Sequence, residues 1–366
     1  MTSEQGLPYR LRLPGPTPVP QRIVSAMTAP ILNHRGPEFQ AIINEVVSLA
    51  RPLLGTINHP MFFASSGTGM MEAALRNVLA PGDKALVLNN GQFSERFALI
   101  CEALGIEVER LDAPWGEASD IDVLVKRLAE CDFQAVVVVH NESSTGVVAD
   151  LAAIGAAVRD TPAVLIVDSV SGLGGVEMRQ DDWGVDVVVS ASQKALMCPP
   201  GISLASVSTK AWKVIDDGRK RSCFYWDFAK ARVWAEKNQT VFTPPVSLVI
   251  GVREALRMIN EEGVANVLSR HRRMRNEMQA GGAELGMSIF TKSPILSDTV
   301  TVFNLPQGID GSDVVRHMYE TYKTVIAGSR TALKGKIIRI GTMGSCTSED
   351  IRQDLEYLKM TFDALG

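Results

Sequence analysis

The sequence has little of what marks several large classes of protein. Its 366 residues carry a formal net charge of only −4 and contain no block of like charge, so nucleic acid is not an expected partner. The five cysteines are odd in number, scattered and without a CxxC pair. This pattern argues against a zinc site, a redox couple and a disulfide framework, and no metal site is predicted.

Long apolar runs are also missing. Residues 1–12 are polar and lack the apolar core of a signal peptide, and no later run reaches the length that spans a bilayer. We therefore expect a cytoplasmic protein with no membrane partner. Because 46% of its residues are hydrophobic, the chain can bury a sizeable core, and its length favours one large domain and one smaller domain.

The first two thirds of the chain alternate between strand-like and helix-like segments. Strand-like β-branched runs lie at 85–88, 135–139, 164–167 and 186–189, and helical apolar spacing lies at 95–104, 121–131 and 151–158. Runs that are apolar throughout are typical of strands covered on both faces. The pattern predicts an α/β fold with a mostly parallel sheet between helices.

The pattern changes after about residue 208. A break at Thr243-Pro244-Pro245 precedes one long helical pattern from Val246 to about Gly281. Strand-like segments at 299–304 and 337–340 and helical segments at 310–322 and 348–365 then predict a smaller α+β domain. We place an N-terminal arm at 1–20, a large domain at 21–255 and a small C-terminal domain at 256–366.

Two chemically active residues follow strands of the predicted sheet. Asp168 ends the apolar run that begins at Ala163, and Lys194 follows the run that begins at Val185. Each residue alone is typical of a turn, a helix cap or an exposed strand end. Together they lie where open α/β sheets bind ligands, and a carboxylate beside a pyridine nitrogen keeps that nitrogen protonated. The pair indicates two groups aimed at one cofactor ring.

A third element is the turn at 62–69, which leads directly into a helical run. Its small, hydroxyl-bearing and glycine residues expose backbone N–H groups at a helix N-terminus, where phosphate binds well. The turn lacks the spacing of a Walker loop or of a dinucleotide fingerprint. It indicates a phosphate site of another kind.

The order of phosphate turn, strand-end Asp and strand-end Lys resembles the fold-type I enzymes that depend on pyridoxal 5′-phosphate (PLP). The chain most resembles class V aminotransferases of the alanine:glyoxylate and serine:pyruvate branch. The segments that carry this resemblance lie at 14–20, 140–147, 167–175 and 190–201. It implies a large domain with a mainly parallel seven-stranded sheet and a smaller C-terminal α+β domain.

The resemblance also implies roles for residues around the cofactor. Lys194 holds PLP covalently and, once released, moves a proton between the substrate Cα and the cofactor C4′. Asp168 pairs with the pyridine nitrogen. Phe93 stacks on the ring, where many relatives have a tryptophan. The remaining cofactor residues are Ser66, Gly67, Thr68 and Gln193 at the phosphate and Ser143 near the cofactor hydroxyl.

Substrate binding and assembly are implied in the same way. Arg339 would clamp the substrate α-carboxylate with two hydrogen bonds, and Gly15 would let backbone approach a small ligand. Thr243 would reach the phosphate of the neighbouring subunit's cofactor, which implies a homodimer with shared active sites. Thr240 stands where several relatives have a tyrosine, so a second contact across the interface stays open.

The implied reaction is a ping-pong transamination from alanine or serine to glyoxylate or pyruvate. Aspartate, ureidoglycine or an aminophosphonate are alternative donors, and Arg35 or Arg330 would supply the second cation that a dicarboxylic donor needs. A lyase or desulfurase is the alternative from another class, with Cys346 as the loop cysteine to check. His34 and Arg35 resemble substrate-side segments without an assigned role.

Overall fold

The computed structural model of the chain describes residues 9–219, 223–329 and 331–366. The helices are α1 Gln21–Met27, α2 Pro37–Leu54, α3 Gly67–Val78, α4 Gln92–Ala103, α5 Ile121–Glu130, α6 Leu151–Arg159, α7 Gln180–Trp183, α8 Thr209–Ile215, α9 Phe228–Ala235, α10 Val246–Glu262, α11 Val264–Glu284, α12 Gly311–Tyr322 and α13 Ser348–Leu365. The strands are β1 Arg10–Leu11, β2 Met61–Ser65, β3 Lys84–Asn89, β4 Glu107–Asp112, β5 Ala135–Val139, β6 Asn141–Glu142, β7 Val147–Val148, β8 Val164–Asp168, β9 Val187–Ala191, β10 Gly201–Val207, β11 Ser288–Ile289, β12 Val300–Asn304, β13 Thr324–Val325, β14 Ala327–Gly328 and β15 Ile337–Gly341.

A seven-stranded sheet forms the centre of the molecule, in the order β2-β10-β9-β8-β5-β3-β4. The strands from β9 to β4 run parallel to one another, and β10 runs antiparallel to both of its neighbours. The α/β fold with a mainly parallel seven-stranded sheet, expected from the resemblance, is therefore confirmed.

The antiparallel strand β10 determines which strand ends lie on the same side of the sheet. Because β10 is antiparallel to both β2 and β9, those two strands point the same way. The carboxyl ends of β2, β3, β5, β8 and β9 therefore lie along one edge. In open α/β sheets this edge is where ligands bind, so it is where the chemically active residues are brought together.

Burial of both sheet faces explains the uninterrupted apolar runs. Along β5 and β8, alternate side chains point to opposite faces, with Val136, Val138 and Leu165 in one apolar cluster and Val137 and Ile166 in the other. Helices cover each face, as parallel strands require. The sheet is thus held from both sides, which gives its carboxyl edge a fixed shape.

The C-terminal part forms an antiparallel sheet in the order β11-β12-β15-β14, with α11, α12 and α13 packed around a separate apolar cluster. The expected single helix from Val246 to about Gly281 is wrong in one respect. Two helices, α10 and α11, meet at Gly263, whose φ of +87° only glycine adopts without strain. The boundary between the domains near residue 255 stays a prediction.

No helix within the described ranges is both long and apolar enough to cross a lipid bilayer. The cytoplasmic location expected from the sequence stays a prediction.

The N-terminal arm is bound to the C-terminal part. Strand β1 pairs in parallel with β13, and two arginines that flank Leu11 reach helix α13. Arg12 Nε lies 2.8 Å from Asp354 Oδ2, and Arg10 Nη2 lies 3.0 Å from Asp354 Oδ1. Asp350 pairs with both arginines as well. Because Asp354 is fully buried, its charge depends on these two partners.

We expect the Asp354→Asn substitution to lower the free energy of unfolding by about 3 kcal/mol, because it leaves buried guanidinium charge without its main counterion. Urea unfolding followed by circular dichroism measures this change. Asp363→Asn is the matched control on the same helix, since Asp363 forms an exposed pair with Lys359, and it should cost less than about 1 kcal/mol. Equal effects of the two substitutions would show that the buried cluster contributes nothing special.

Candidate active site

Asp168 and Lys194 lie at the carboxyl edge of adjacent parallel strands. Asp168 is the last residue of β8, and Lys194 follows β9 by three residues. Both are buried, with 4% and 9% of their surfaces exposed. One Asp168 oxygen accepts the Val170 N–H at 2.7 Å, which fixes the carboxylate at the strand end. The expected convergence of these two residues is thus present in the fold.

Burial changes the acidity of both groups. It raises the pKa of Asp168 to about 6, and the Val170 N–H and the charge of Lys194 oppose this rise. Burial also lowers the pKa of Lys194 to about 8, against the opposing attraction of Asp168. Perturbed pKa values of this kind are typical of functional sites, where a buried group must change its protonation state near neutral pH.

The N-terminal arm covers the lysine. Lys194 Nζ donates a hydrogen bond to the Pro14 carbonyl, and Thr17 Oγ1 donates to the Lys194 carbonyl at 3.0 Å. A Cβ at Gly15 would lie 2.8 Å from Lys194 Nζ, and Gly15 has a φ of +98°. Only glycine therefore permits this close approach. Gly15 therefore lies beside the Lys194 amine, and its expected contact with a small ligand stays a prediction.

The predicted phosphate turn begins helix α3. Ser66 is the residue before the helix, and its Oγ accepts the Gly69 N–H at 3.1 Å. The first amides of the helix, at Gly67 and Thr68, have no acceptor within the helix and so remain available to a ligand. A Cβ at Gly67 would lie 2.8 Å from Val170, so glycine is needed here for packing. The turn therefore has the free amides that an anion site needs.

Phe93 lies in the first turn of α4, at the same edge, and lines the cleft with Asp168 and Lys194. Its position depends on Glu142, which the sequence reading did not single out. The buried Glu142 carboxylate accepts the N–H groups of Phe93 at 2.9 Å and Ser94 at 3.0 Å, so it caps the helix from outside. The position of Glu142 just after the apolar strand β5 is the sequence feature that could have identified it.

Arg339 lies on strand β15 and lines a second cleft beside Lys194. Its guanidinium donates to the Gly328 carbonyl at 2.7 and 3.1 Å and to the Ser143 carbonyl at 3.2 Å. Arg339 and Ser143 line a cleft that shares Gly15, Phe93 and Lys194 with the cofactor side. The two clefts are therefore continuous around the Lys194 amine.

Arg96, one turn after Phe93, was also missed by the sequence reading. It lines both parts of the cleft. Its guanidinium carbon lies 4.6 Å from the centre of the Phe93 ring, and its Nη1 donates to Thr68 Oγ1 at 3.0 Å. Residues three apart in a helix lie on the same face, so the spacing between Phe93 and Arg96 could have identified Arg96 from the sequence.

Other predicted residues lie outside this cleft. Thr243 is exposed in the segment before α10, where its hydroxyl lies 3.5 Å from His34 Nε2. Arg35 donates to the carbonyls of Thr240 and Val241 at 2.6 and 3.0 Å, so it supports this segment and does not face the cleft. The suggested role of Arg35 as a second cation for a dicarboxylic donor stays a prediction, and Arg330 lies outside the described residues.

Cys346 is buried, and burial raises the pKa of its thiol to about 12. A sulfur-transfer enzyme needs an accessible thiolate, so this cysteine does not meet the requirement. In the part of the chain that the structure describes, no group of three or more His, Cys, Asp or Glu side chains is placed to hold a metal ion.

The cleft fits a flat cofactor that carries a phosphate. It encloses about 630 Å³, including the solvent at its mouth, which is within the usual range for small-molecule sites. The Gln193 side-chain oxygen is buried in the cleft without a hydrogen-bond partner. The alternative orientation of the amide would present its NH2 group, a donor, to an anion at the turn before α3. An amine, a carboxylate and an anion site around one aromatic side chain are the groups that PLP requires.

We expect the apoprotein's Lys194 to react with an amine-specific acylating reagent with a midpoint near pH 8, below the usual lysine value of about 10.4. Burial favours the neutral amine, which is the reactive form, so the rate rises as pH passes through this pKa. Peptide mass mapping across pH measures the rate at each lysine. Lys359 is the internal control, because its pair with Asp363 raises its pKa.

The Asp168→Asn variant should react with a still lower midpoint, because the carboxylate stabilises the Lys194 ammonium. A wild-type midpoint above pH 10, or no change in the variant, would contradict this account of the site.

Comparisons with known proteins agree over almost the whole chain. Residues 13–353 match the family described as Aminotransferase class-V. An uncharacterized aminotransferase of Methanocaldococcus jannaschii is 37% identical over 358 residues, which cover 97% of this chain and 93% of the relative. An L-aspartate--glyoxylate aminotransferase of Paracoccus denitrificans is 34% identical over 361 residues, which cover 97% of this chain and 91% of that protein.

A solved structure gives the same result for the fold. The alanine--glyoxylate aminotransferase from Nostoc superposes with a TM-score of 0.94 at 30% sequence identity, and the match covers 99% of this chain and 97% of that one. The family resemblance inferred from the strand-end residues is confirmed. This chain is an aminotransferase that belongs to the class V family.

Proposed function

We propose that this aminotransferase binds PLP on Lys194 and transfers the amino group of a small amino acid, alanine or serine, to glyoxylate or pyruvate by a ping-pong mechanism. The observation that carries the proposal is the convergence of Lys194, Asp168, the α3 anion site and Arg339 on one continuous cleft. Each of these groups has a separate task in that reaction.

Bound PLP supplies an electron sink for the substrate Cα. Asp168 would keep the pyridine nitrogen protonated, since its carboxylate is buried and fixed by the Val170 N–H. The amides of Gly67 and Thr68, with Gln193, would hold the phosphate. Phe93 would cover one ring face, and Glu142 keeps Phe93 in place by capping its helix.

Lys194 would also move the proton between the substrate Cα and the cofactor. Burial brings its pKa to about 8, close enough to neutral that the same amine can accept a proton and return it. The Pro14 carbonyl holds the lysine amine by a hydrogen bond, so the released amine stays near the reacting atoms. The arm therefore orients the base and shields it from water.

Arg339 would bind the α-carboxylate of both substrates. A guanidinium forms two parallel hydrogen bonds with a carboxylate, and the Gly328 and Ser143 carbonyls already fix its plane. Glyoxylate is supported as the acceptor because the names of the Paracoccus and Nostoc relatives share it while their donors differ. Aspartate stays the alternative donor, favoured by Lys334 at the mouth of the substrate cleft.

We further propose that the enzyme is a homodimer in which Thr243 reaches the partner's cofactor phosphate. The segment before α10 is supported by Arg35 but lies away from the cleft of its own chain. Beside it, Tyr225 stacks on Phe242 at 5.1 Å between ring centres, and Phe224 is 74% exposed. A second subunit would cover this aromatic surface.

The purified holoenzyme should carry a B6 adduct on Lys194 after borohydride reduction, detected by peptide mass mapping. Mixed separately with alanine, serine, aspartate and aminoethylphosphonate, it should convert its cofactor to the amine form with alanine or serine, as seen by absorbance. Conversion with aspartate alone would replace the donor assignment. No adduct at residue 194 would overturn the proposal itself.

Replacing Arg339 by lysine should raise KM for the amino donor and for glyoxylate by about 10- to 100-fold, because the charge remains while the two-pronged geometry is lost. Steady-state kinetics with each substrate measures this. Arg316→Lys on the exposed face of α12 is the control, since Arg316 pairs only with Asp313 among the ion pairs of the described residues. Unchanged KM values in Arg339→Lys would remove Arg339 from the substrate site.

A further inference from the structure

Arg96 is a half-buried arginine that faces the cleft, and no carboxylate among the residues that the structure describes pairs with it. The ion pairs of the described residues include none that involves Arg96, and its one hydrogen bond goes to a neutral hydroxyl, that of Thr68. The neighbouring acid on the same helix is not available, because Glu95 binds Arg110 through both carboxylate oxygens at 2.9 and 3.0 Å. A guanidinium held in this way has unused hydrogen-bond donors.

Contacts with Phe93 and Thr68 hold the Arg96 guanidinium in one position. The Arg96 Cζ lies 4.6 Å from the centre of the Phe93 ring. This cation–π contact favours one orientation of the planar guanidinium. On its other side Nη1 touches Thr68 Oγ1, in the first turn of α3. Arg96 therefore connects the aromatic residue of the site with the anion-binding turn.

This position separates Arg96 from the other cations of the cleft. Arg339 donates to carbonyl oxygens on strand β14 and after β6, whereas Arg96 contacts the turn whose free amides would bind an anion. Arg96 is also near enough to Lys194 for its charge to contribute to the depression of the pKa of that lysine, after the larger effect of burial and alongside Arg339. A dianion bound at the turn would balance this local positive charge.

We propose that Arg96 donates a charge-assisted hydrogen bond to the phosphate of the cofactor. This inference rests on the proposed function, because it assumes that PLP is the group bound at the α3 turn. Arg96 is then a cofactor-binding residue that links two tasks. Its guanidinium neutralises the phosphate, and its contact with Phe93 keeps the stacking ring in register with the phosphate site.

The experiment compares PLP with pyridoxal, which has the same ring and aldehyde but no phosphate. Apoprotein is titrated with each aldehyde and the dissociation constant is read from absorbance and tryptophan fluorescence, so no catalytic assay is needed. In Arg96→Gln we expect PLP affinity to fall by about 10- to 100-fold, the range for a lost hydrogen bond to a charged group. Pyridoxal affinity should fall by a clearly smaller factor, because pyridoxal lacks the phosphate that Arg96 binds and depends on Arg96 only through its contact with Phe93.

Control variants separate the phosphate contact from indirect effects. Arg127→Gln removes a partly exposed arginine of α5 that pairs with Glu109 on the outermost strand β4 and with Glu130, and it should bind both aldehydes like the wild type. Phe93→Leu should weaken both aldehydes alike, because it acts on the ring. Arg96→Lys should bind PLP with intermediate affinity. Melting curves of each apoprotein verify that the variants are folded.

Two outcomes with the Arg96→Gln variant overturn the inference. Equal loss of PLP and pyridoxal in Arg96→Gln means that Arg96 acts only through Phe93. No loss of PLP affinity excludes the phosphate contact, and a selective rise in KM for aspartate would then assign Arg96 to a substrate carboxylate. If wild-type apoprotein forms no adduct with PLP at Lys194, the proposed function fails, and that result is distinct from any result with the Arg96 variants.

Discussion

Burial of a carboxylate and an amine at one sheet edge is the constraint on which the rest of the site depends. Taking Asp168 and Lys194 out of water is costly, and it shifts the pKa of each group towards its neutral form. The fold tolerates this because adjacent parallel strands hold both residues close to each other. Glycines, helix ends and the N-terminal arm then complete a cleft that a charged cofactor would stabilise.

Several residues around the cleft position the side chains of the site without contacting the proposed substrate or cofactor. Glu142 caps the helix that carries Phe93, the Pro14 carbonyl accepts from the Lys194 amine, and Arg35 supports the segment of Thr243. None of these three takes a direct part in the proposed chemistry. They explain how an exposed loop and a helix end reach the fixed geometry that catalysis needs, since an unsupported side chain would sample many rotamers.

The N-terminal arm joins the two parts of the molecule at the reactive lysine. Its β1 strand and its arginines bind the C-terminal part, while Gly15, a few residues later, touches Lys194. A shift of the C-terminal part, which carries Arg339, would therefore move the arm segment that contacts Lys194. This arrangement would couple the proposed substrate-carboxylate site at Arg339 to the orientation of the Lys194 amine.

Local sequence was enough to locate the elements whose signal is carried by consecutive residues. The all-apolar strands β5 and β8, the hydroxyl-rich turn before α3 and the two strand-end residues were readable because each is encoded within a short window. The break at Gly263 was missed because a glycine inside a helical pattern is compatible with both one helix and two, and packing of α10 and α11 against different clusters decides between them.

What the sequence by itself determined is the family, the sheet and the identity of the Asp168 and Lys194 pair, since order and spacing along the chain contain this information. Only the tertiary structure decided that Arg35 turns away from the cleft while Arg96 turns towards it, and that Cys346 is buried. The physical reason is that the direction of a long side chain depends on acceptors and rings contributed by distant segments, and these are brought together only when the chain packs.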